Sequence, residues 1–369
     1  MPSTLGCNKL DHHLKYDFSL IMFGRLLPLG NVILSKANTG PVLASAAIAV
    51  EVIDSQLQKS QPLHPLQVKF VVFVAFFIVN LISVSWPGRL DGEAYDDKTG
   101  KLSPLTPKTG TSLFTPSGWA FSIWGLIYTL ELISVSIILF TTPTKILQTT
   151  TRSLFSFTPT TTVSSVPYMP FNTYRKICPS LLKASYYQAL WCAAFRSKFF
   201  EQKSYSMWLS PLFLGLCARN LFAISTIVST DRAALTGWQF ALFFFGFAIH
   251  AGWVTAATLV NLNGSWAYSE GLTKKSTNKK WVRRLLGHGS VLLACALALG
   301  SCCAYDKLGV TFSATLCWAL AAVQSGMRER CESNIKDVEG VKDQLLLARG
   351  GKFFCGVVSA LKMLSLSAA

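Results

Sequence analysis

The chain has 369 residues, of which 51% are hydrophobic and 14% charged, with a mean hydropathy of +0.39 and a formal net charge of +16. Soluble domains are about a quarter charged, so the shortfall, with 25 Phe and 10 Trp, excludes a disordered or fibrous chain and points to a polytopic membrane protein. The excess of Lys and Arg sits mainly in short runs flanking apolar stretches, as in loops beside anionic lipid, and no nucleic-acid-binding motif accompanies it. The expected partner is therefore the lipid bilayer, and a nucleic-acid partner is not expected.

Residues 1–65 read as an amino-terminal tail, partly helical or disordered, with acidic Asp11 and Asp17 that suit neither a secretory signal nor a transit peptide. A membrane-spanning helix needs roughly 20 mostly apolar residues. Segments 66–86, 117–140, 181–199, 207–229, 240–262, 285–304 and 310–325 meet or approach that, so the fold class is all-α, a transmembrane bundle of about seven spans. In 181–199, Lys183 and Arg196 have to reach the two interfaces. Residues 141–167, rich in Thr, Ser and Pro, read as a disordered linker. The tail 326–369 is mixed basic and acidic, and its apolar end, 353–369, is either an eighth span or an interfacial helix.

Arg and Lys clusters between 262 and 285 (Lys274, Lys275, Lys279, Lys280, Arg283, Arg284) and after 325 (Arg328, Arg330, Lys336, Lys342) fall on one side in a seven-span arrangement, which is therefore expected to be cytoplasmic. The sequon Asn263-Gly264-Ser265 abuts the end of a span on that side and is read as a chance match. Seven of the ten cysteines lie in apolar runs, where a free thiol acts as a small hydrophobe, and none has the spacing of a zinc site. No metal is expected. Small residues in 285–304 (Gly287, Gly289, Ala294, Ala296, Ala298, Gly300) suit close helix packing, either within the chain or in a homodimer.

In 117–140, Pro116 stands where a helix can begin without its amide proton, and Phe121, Trp124, Tyr128 and Glu131 follow at helical spacing. A carboxyl near mid-span costs about 2.5 to 3.5 kcal/mol on insertion scales, so Glu131 should face the bundle interior and have a partner. Arg219, the basic residue at comparable depth, is the expected partner in a buried ion pair. His250, Trp253, Ala257 and Asn261 form a second face, spaced three, four and four apart, and Gln188, Trp191 and Phe195 a third. A lone His in an apolar helix is more often hydrogen-bonded than metal-bound.

Three helices each presenting a polar group flanked by large aromatics resemble the tryptophan-rich sensory protein and translocator protein family. In that family a Trp-x-Pro-Pro start leads into an aromatic helix ending Trp-x-x-Leu-Tyr, matched here by Pro116, Trp119, Phe121, Trp124 and Tyr128. Its third helix carries Asn-x-x-Trp-x-x-x-Phe, matched by Gln188, Trp191 and Phe195, and its fifth a Trp followed eight residues later by Asn, matched by Trp253 and Asn261. Phe114 replaces the opening Trp, Ser117 the second Pro, and the step from Phe121 to Trp124 is one residue shorter than in the translocator branch. The resemblance covers residues 66–266 as a five-helix core, with 285–325 as two additional helices outside it.

The resemblance implies a bundle whose aromatic-lined cavity binds planar or steroid-like lipophiles, chiefly tetrapyrroles and sterols, in a receptor, sensor or carrier role with no required cofactor. Trp119, Trp124, Tyr128, Trp191 and Trp253, with Phe121 and Phe195, would supply stacking surface, while Glu131, Gln188, His250 and Asn261 orient the ligand. Two alternatives stand beside it: a proton-coupled secondary transporter using Glu131, Arg219 and His250, and a structural scaffold whose aromatic faces only pack. No nucleophile elbow, phosphate-binding Gly loop or pair of nearby carboxylates points to an enzyme.

Overall fold

The computed structural model describes residues 47–49, 51–52, 65–81, 95–96, 101–102, 112–140, 171–195, 206–231, 237–272, 280–332 and 340–368. The expected linker 141–167 and nearly all of the tail 1–65 lie outside them. Helix α1, Pro65–Phe73, continues into a π-helical stretch, Val74–Leu81. A minimal antiparallel hairpin follows, β1 Tyr95–Asp96 with β2 Lys101–Leu102. The 3₁₀ turn Gly118–Ser122 leads into α2, Ile123–Phe140. Then come α3, Phe171–Ala194; α4, Ser206–Thr230; α5, Gly237–Leu272; α6, Lys280–Ala304; α7, Lys307–Glu332; and α8, Val341–Ala368.

Among the described residues, five helices are long and apolar enough to cross a membrane: Gly118–Phe140, Met207–Thr230, Phe244–Ala267, Lys280–Ala304 and Lys307–Glu329. They coincide with five of the seven expected segments. The first expected segment, 66–86, yields only a shorter apolar helix, Leu66–Phe77. The third, 181–199, belongs to a helix that begins ten residues earlier and takes in Arg175, Lys176 and Pro179. Its cations are met by other elements rather than by the interfaces alone: Lys176 Nζ lies 2.6 Å from Asp231 Oδ1 at the end of α4, and Lys183 faces Glu51. The carboxyl-terminal helix starts at Val341, twelve residues before the apolar run that suggested it.

Helix α5 is the centre of the bundle. It packs on α2, α4, α6 and α7, and from Phe244 to Asn263 it is almost wholly buried, which is why it is apolar on every face. Two glycines permit the closest approaches. A Cβ at Gly246 would stand 3.0 Å from Leu130 Cβ of α2, and one at Gly252 would stand 2.7 Å from Thr315 Cβ of α7. Helix α4 runs antiparallel to α5, in a register set by Ser265 Oγ donating to the Met207 carbonyl at 2.7 Å and Ser210 Oγ to Asn261 Oδ1 at 2.5 Å. Asn263 is buried and donates to Ser290 Oγ of α6 at 2.8 Å, so the chance sequon is an interhelical clamp.

Helices α6, α7 and α8 form a three-helix unit against α5. Ser313 Oγ donates to the Cys355 carbonyl at 3.1 Å, Cys317 Sγ to the Lys352 carbonyl, and Lys362 pairs with Asp306, so α8 descends antiparallel to α7 along its length. Gln344 Nε2 donates to the Gly287 carbonyl and Cys295 Sγ to the Gly351 carbonyl, so α8 lies parallel to α6. Helix α7 also holds the turn that starts α2. The Ser117 amide donates to the Ala322 carbonyl at 2.9 Å, Ser117 Oγ to Glu329 Oε1 at 2.6 Å, and at Gly326 a Cβ would meet the Thr115 carbonyl at 2.4 Å.

Candidate ligand site

Trp124 of α2 is the hub of an aromatic cluster drawn from three helices. Its ring stacks on Tyr128 with centroids 5.4 Å apart and on Trp191 of α3 at 6.2 Å, and it meets the His250 and Trp253 rings of α5 edge-on at 5.6 and 6.3 Å. Phe195 stacks on Trp191 at 5.4 Å, and Phe121 meets Trp253 edge-on at 5.8 Å. These separations and angles are the offset and edge-to-face arrangements that aromatic quadrupoles favour. The shorter step from Phe121 to Trp124 is accommodated by the local backbone. Phe121 is the fourth residue of the 3₁₀ turn, where side chains three apart nearly eclipse, so Phe121 and Trp124 both reach Trp253.

The polar groups form a second layer. Gln188 Nε2 donates to the Tyr128 hydroxyl at 2.5 Å. Trp191 Nε1 donates to Asn261 Oδ1 at 3.3 Å, the same oxygen that Ser210 engages, while Asn261 Nδ2 returns to the Ala257 carbonyl of its own helix. Two helical turns below Trp124, Glu131 Oε1 lies 2.7 Å from His250 Nδ1, with both side chains within 4% of full burial. A further turn along, Ser134 bonds the Tyr174 hydroxyl of α3 in the interior. Donation from the His250 Nδ1–H to the Glu131 carboxylate leaves Nε2 turned elsewhere.

Three atoms of this constellation are buried and have no hydrogen-bond partner among the described residues: Gln188 Oε1, His250 Nε2 and Trp253 Nε1. All three belong to residues that touch Trp124 or its stacking partner Tyr128. Buried side-chain polar atoms are paired in the large majority of cases, and each unpaired one costs about 1–3 kcal/mol.

The structure thus brings together Phe121, Trp124, Tyr128, Glu131, Gln188, Trp191, Phe195, His250, Trp253 and Asn261. It does not bring Trp119, which is 38% exposed and packs edge-on against Trp318 of α7 at 4.8 Å, on the far side of the 3₁₀ turn. The expected Glu131–Arg219 ion pair is also corrected. Each residue of an α-helix turns the side chain by about 100°. Cys217, Ala218 and Asn220 face the bundle, Arg219 is exposed on the other side of α4, and Glu131 is held by His250 instead. Depth along a helix was legible in the sequence; azimuth was not. Ser210 and Tyr174 were missed, lying outside any motif. Gly246, one turn before His250, is the sequence signal for the close α2–α5 approach that lets Glu131 and His250 meet.

No curated protein and no solved structure gives a significant match to the chain. A protein-family comparison does: residues 67–336 match the family described as TSPO-like protein, a stretch that runs past residue 266 to take in α6 and α7, the two helices packed against α5 and the start of α2. With more than half of its length matched and several helices able to cross a bilayer, the chain is an integral, multi-pass membrane protein that belongs to the TSPO-like protein family.

Proposed function

We propose that the protein binds a lipophilic small molecule, of tetrapyrrole or sterol-like class, among the aromatic rings around Trp124, and acts as a receptor, sensor or carrier for it. The observation that carries this reading is the set of three buried polar atoms without partners, Gln188 Oε1, His250 Nε2 and Trp253 Nε1. Arg175 Nε, Trp266 Nε1 and Arg284 Nε are buried without a hydrogen bond elsewhere among the described residues, but the three around Trp124 converge on one aromatic cluster, and ligand sites in bundles are apolar with a few convergent polar groups. In the tautomer whose only N–H is Nδ1–H, given to Glu131, His250 offers Nε2 as an acceptor, Gln188 Oε1 is a second acceptor, and Trp253 Nε1–H is a donor. A flat ligand with N–H or O–H donors on one edge and a carbonyl or carboxylate on another satisfies all three, which a tetrapyrrole does more completely than a sterol with its single hydroxyl.

The test is titration of the protein in nanodiscs with protoporphyrin IX and, separately, with cholesterol, followed by intrinsic Trp fluorescence. Saturable quenching that is lost in Trp124→Ala supports the reading. Unchanged fluorescence well above micromolar ligand, with both lipophiles, defeats it.

The proton-coupled transporter remains as a second reading because Glu131 and His250 form a buried titratable pair; Arg219 drops out of it. Uptake into proteoliposomes driven by a pH gradient separates the two. The seven- or eight-span count also belongs to this proposal: α1, α3 and α8 complete the bundle beside the five apolar helices, and α8 lies alongside both α6 and α7. A homodimer would use the outward side of α6, where Gly289 and Gly300 have open space above them.

A further inference from the structure

Arg219 is the charge that the proposed site leaves unexplained. It stands near the middle of α4, one of the five helices able to cross a membrane, and no other Asp, Glu, Lys or Arg occurs between Lys203 and Asp231. At 1.5 Å per residue it is about 18 Å from the nearer of those two charges, further than an Arg side chain can extend. It is exposed, and among the described residues it makes no ion pair or hydrogen bond. Its neighbour Asn220 turns inward and donates to the Leu216 carbonyl of the same helix.

Arg219 is centred on an otherwise uncharged outward stripe. Leu212, seven residues before it, is exposed, Leu216 and Ala223 are half-buried, and the stripe ends at Thr226, whose hydroxyl bonds that of Tyr305 at 2.9 Å. A guanidinium on a lipid-facing span is rare, because ionisable residues at that depth face a cavity or a partner charge. The protein holds one carboxylate at comparable depth among its described helices, Glu131, and that is buried against His250. A second copy of the chain therefore offers no carboxylate to meet Arg219 from the described residues.

We infer that this face of α4 is a docking surface for a transmembrane helix of a partner protein that carries an Asp or Glu at mid-membrane depth. Charge complementarity sets the depth at which the partner carboxylate sits, and the length of the uncharged stripe, from Leu212 through Ala223, suits a helix lying along α4 rather than a ligand bound at one point. This inference is independent of the aromatic site, since Arg219 faces away from it.

The test co-reconstitutes the full-length protein in liposomes with a fluorescent poly-Leu transmembrane peptide bearing one central Glu, and compares it with the same peptide bearing Gln. Energy transfer to labelled protein should be about tenfold stronger with the Glu peptide, and that preference should vanish in Arg219→Leu. It should invert in Arg219→Glu, which selects a peptide with a central Lys; this variant keeps the assignment testable if Arg219→Leu misfolds. Equal association of the Glu and Gln peptides, or no association of either, overturns the inference and returns the face to lipid. Binding of oleate that depends on Arg219 while the peptides show no preference overturns it in favour of a free lipophilic acid. Self-association that is lost in Arg219→Leu overturns it in favour of a second copy.

Discussion

Glu131 Oε1 and His250 Nδ1 lie 2.7 Å apart between α2 and α5, both buried, at the point where Gly246 lets the two helices approach. Removing one partner of a buried pair leaves the other uncompensated and costs about 3–5 kcal/mol, whereas replacing both by apolar residues of similar volume is often close to neutral. Glu131→Ala is therefore expected to lower stability in detergent by that amount, and the Glu131→Leu, His250→Leu double variant to recover most of it. Arg219→Gln is expected to change stability by no more than about 0.5 kcal/mol, because its side chain is exposed and makes no ion pair or hydrogen bond among the described residues. Denaturant titrations of the wild type, Glu131→Leu, His250→Leu and the double variant, read as a double-mutant cycle, check the pair; strictly additive losses at 131 and 250 would show that it contributes no coupling.

Trp124 and Trp119 are five residues apart in one motif but differ in role. Trp124 touches four aromatic rings, so Trp124→Ala should cost about 3–5 kcal/mol and abolish lipophile binding, while Trp124→Phe keeps much of the packing and loses stacking area. Trp119 makes one edge-to-face contact with Trp318, worth about 0.5–1.5 kcal/mol, and Trp119→Phe should leave binding intact. A binding loss in Trp119→Phe equal to that in Trp124→Phe would contradict the separation of the two rings.

Glycine substitutions distinguish packed from open helix faces. A methyl at Gly252 meets Thr315 Cβ at 2.7 Å, and one at Gly326 meets the Thr115 carbonyl at 2.4 Å, so Gly252→Ala and Gly326→Ala should each destabilise by about 1–3 kcal/mol through overpacking. At Gly289 nothing stands within 4 Å, and Ala there should stabilise α6 by about 0.5–1 kcal/mol through helix propensity. Thermal unfolding of the three variants in one detergent is sufficient. If Gly289→Ala is as harmful as Gly252→Ala, the α6 face is occupied, as the homodimer would require.

Five of the seven expected spans and the aromatic motif were legible in the sequence because hydropathy and helical spacing act along the chain. The partners of polar residues were not, since they depend on which way neighbouring helices are rotated. Glu131 could be read as needing a partner, but whether His250 or Arg219 faces it turns on the azimuth of α4 and on a glycine in α5. Trp119 shares a motif with Trp124, yet the 3₁₀ turn rotates it toward α7. The start of α3 was hidden because Arg175, Lys176 and Pro179 look unlike a span, and Asp231, which pairs with Lys176, is 55 residues away. The small residues of α6 did not reveal whether they served packing within the chain; Gly287, buried against Leu113 and Gln344, does, and Gly300 does not.

Cys303 and Cys331 offer a direct reading of topology. Both thiols are exposed, one at the end of α6 and the other at the end of α7, and the length of α7 puts them about 36 Å apart along the helix axis. If α7 crosses the bilayer, they open on opposite sides. An impermeant maleimide added to sealed, right-side-out vesicles should label Cys303 and spare Cys331 if, as the positive-inside rule predicts, Arg328 and Lys342 put the Cys331 end on the cytoplasmic side. Permeabilisation should then expose Cys331, while buried Cys192, Cys217 and Cys355 stay unmodified in the folded protein. Peptide mass spectrometry separates these sites from the remaining cysteines. Labelling of Cys331 alone in sealed vesicles reverses the orientation, and labelling of both at equal rates would mean that α7 lies on one side of the membrane and that the α6–α7–α8 unit is not embedded.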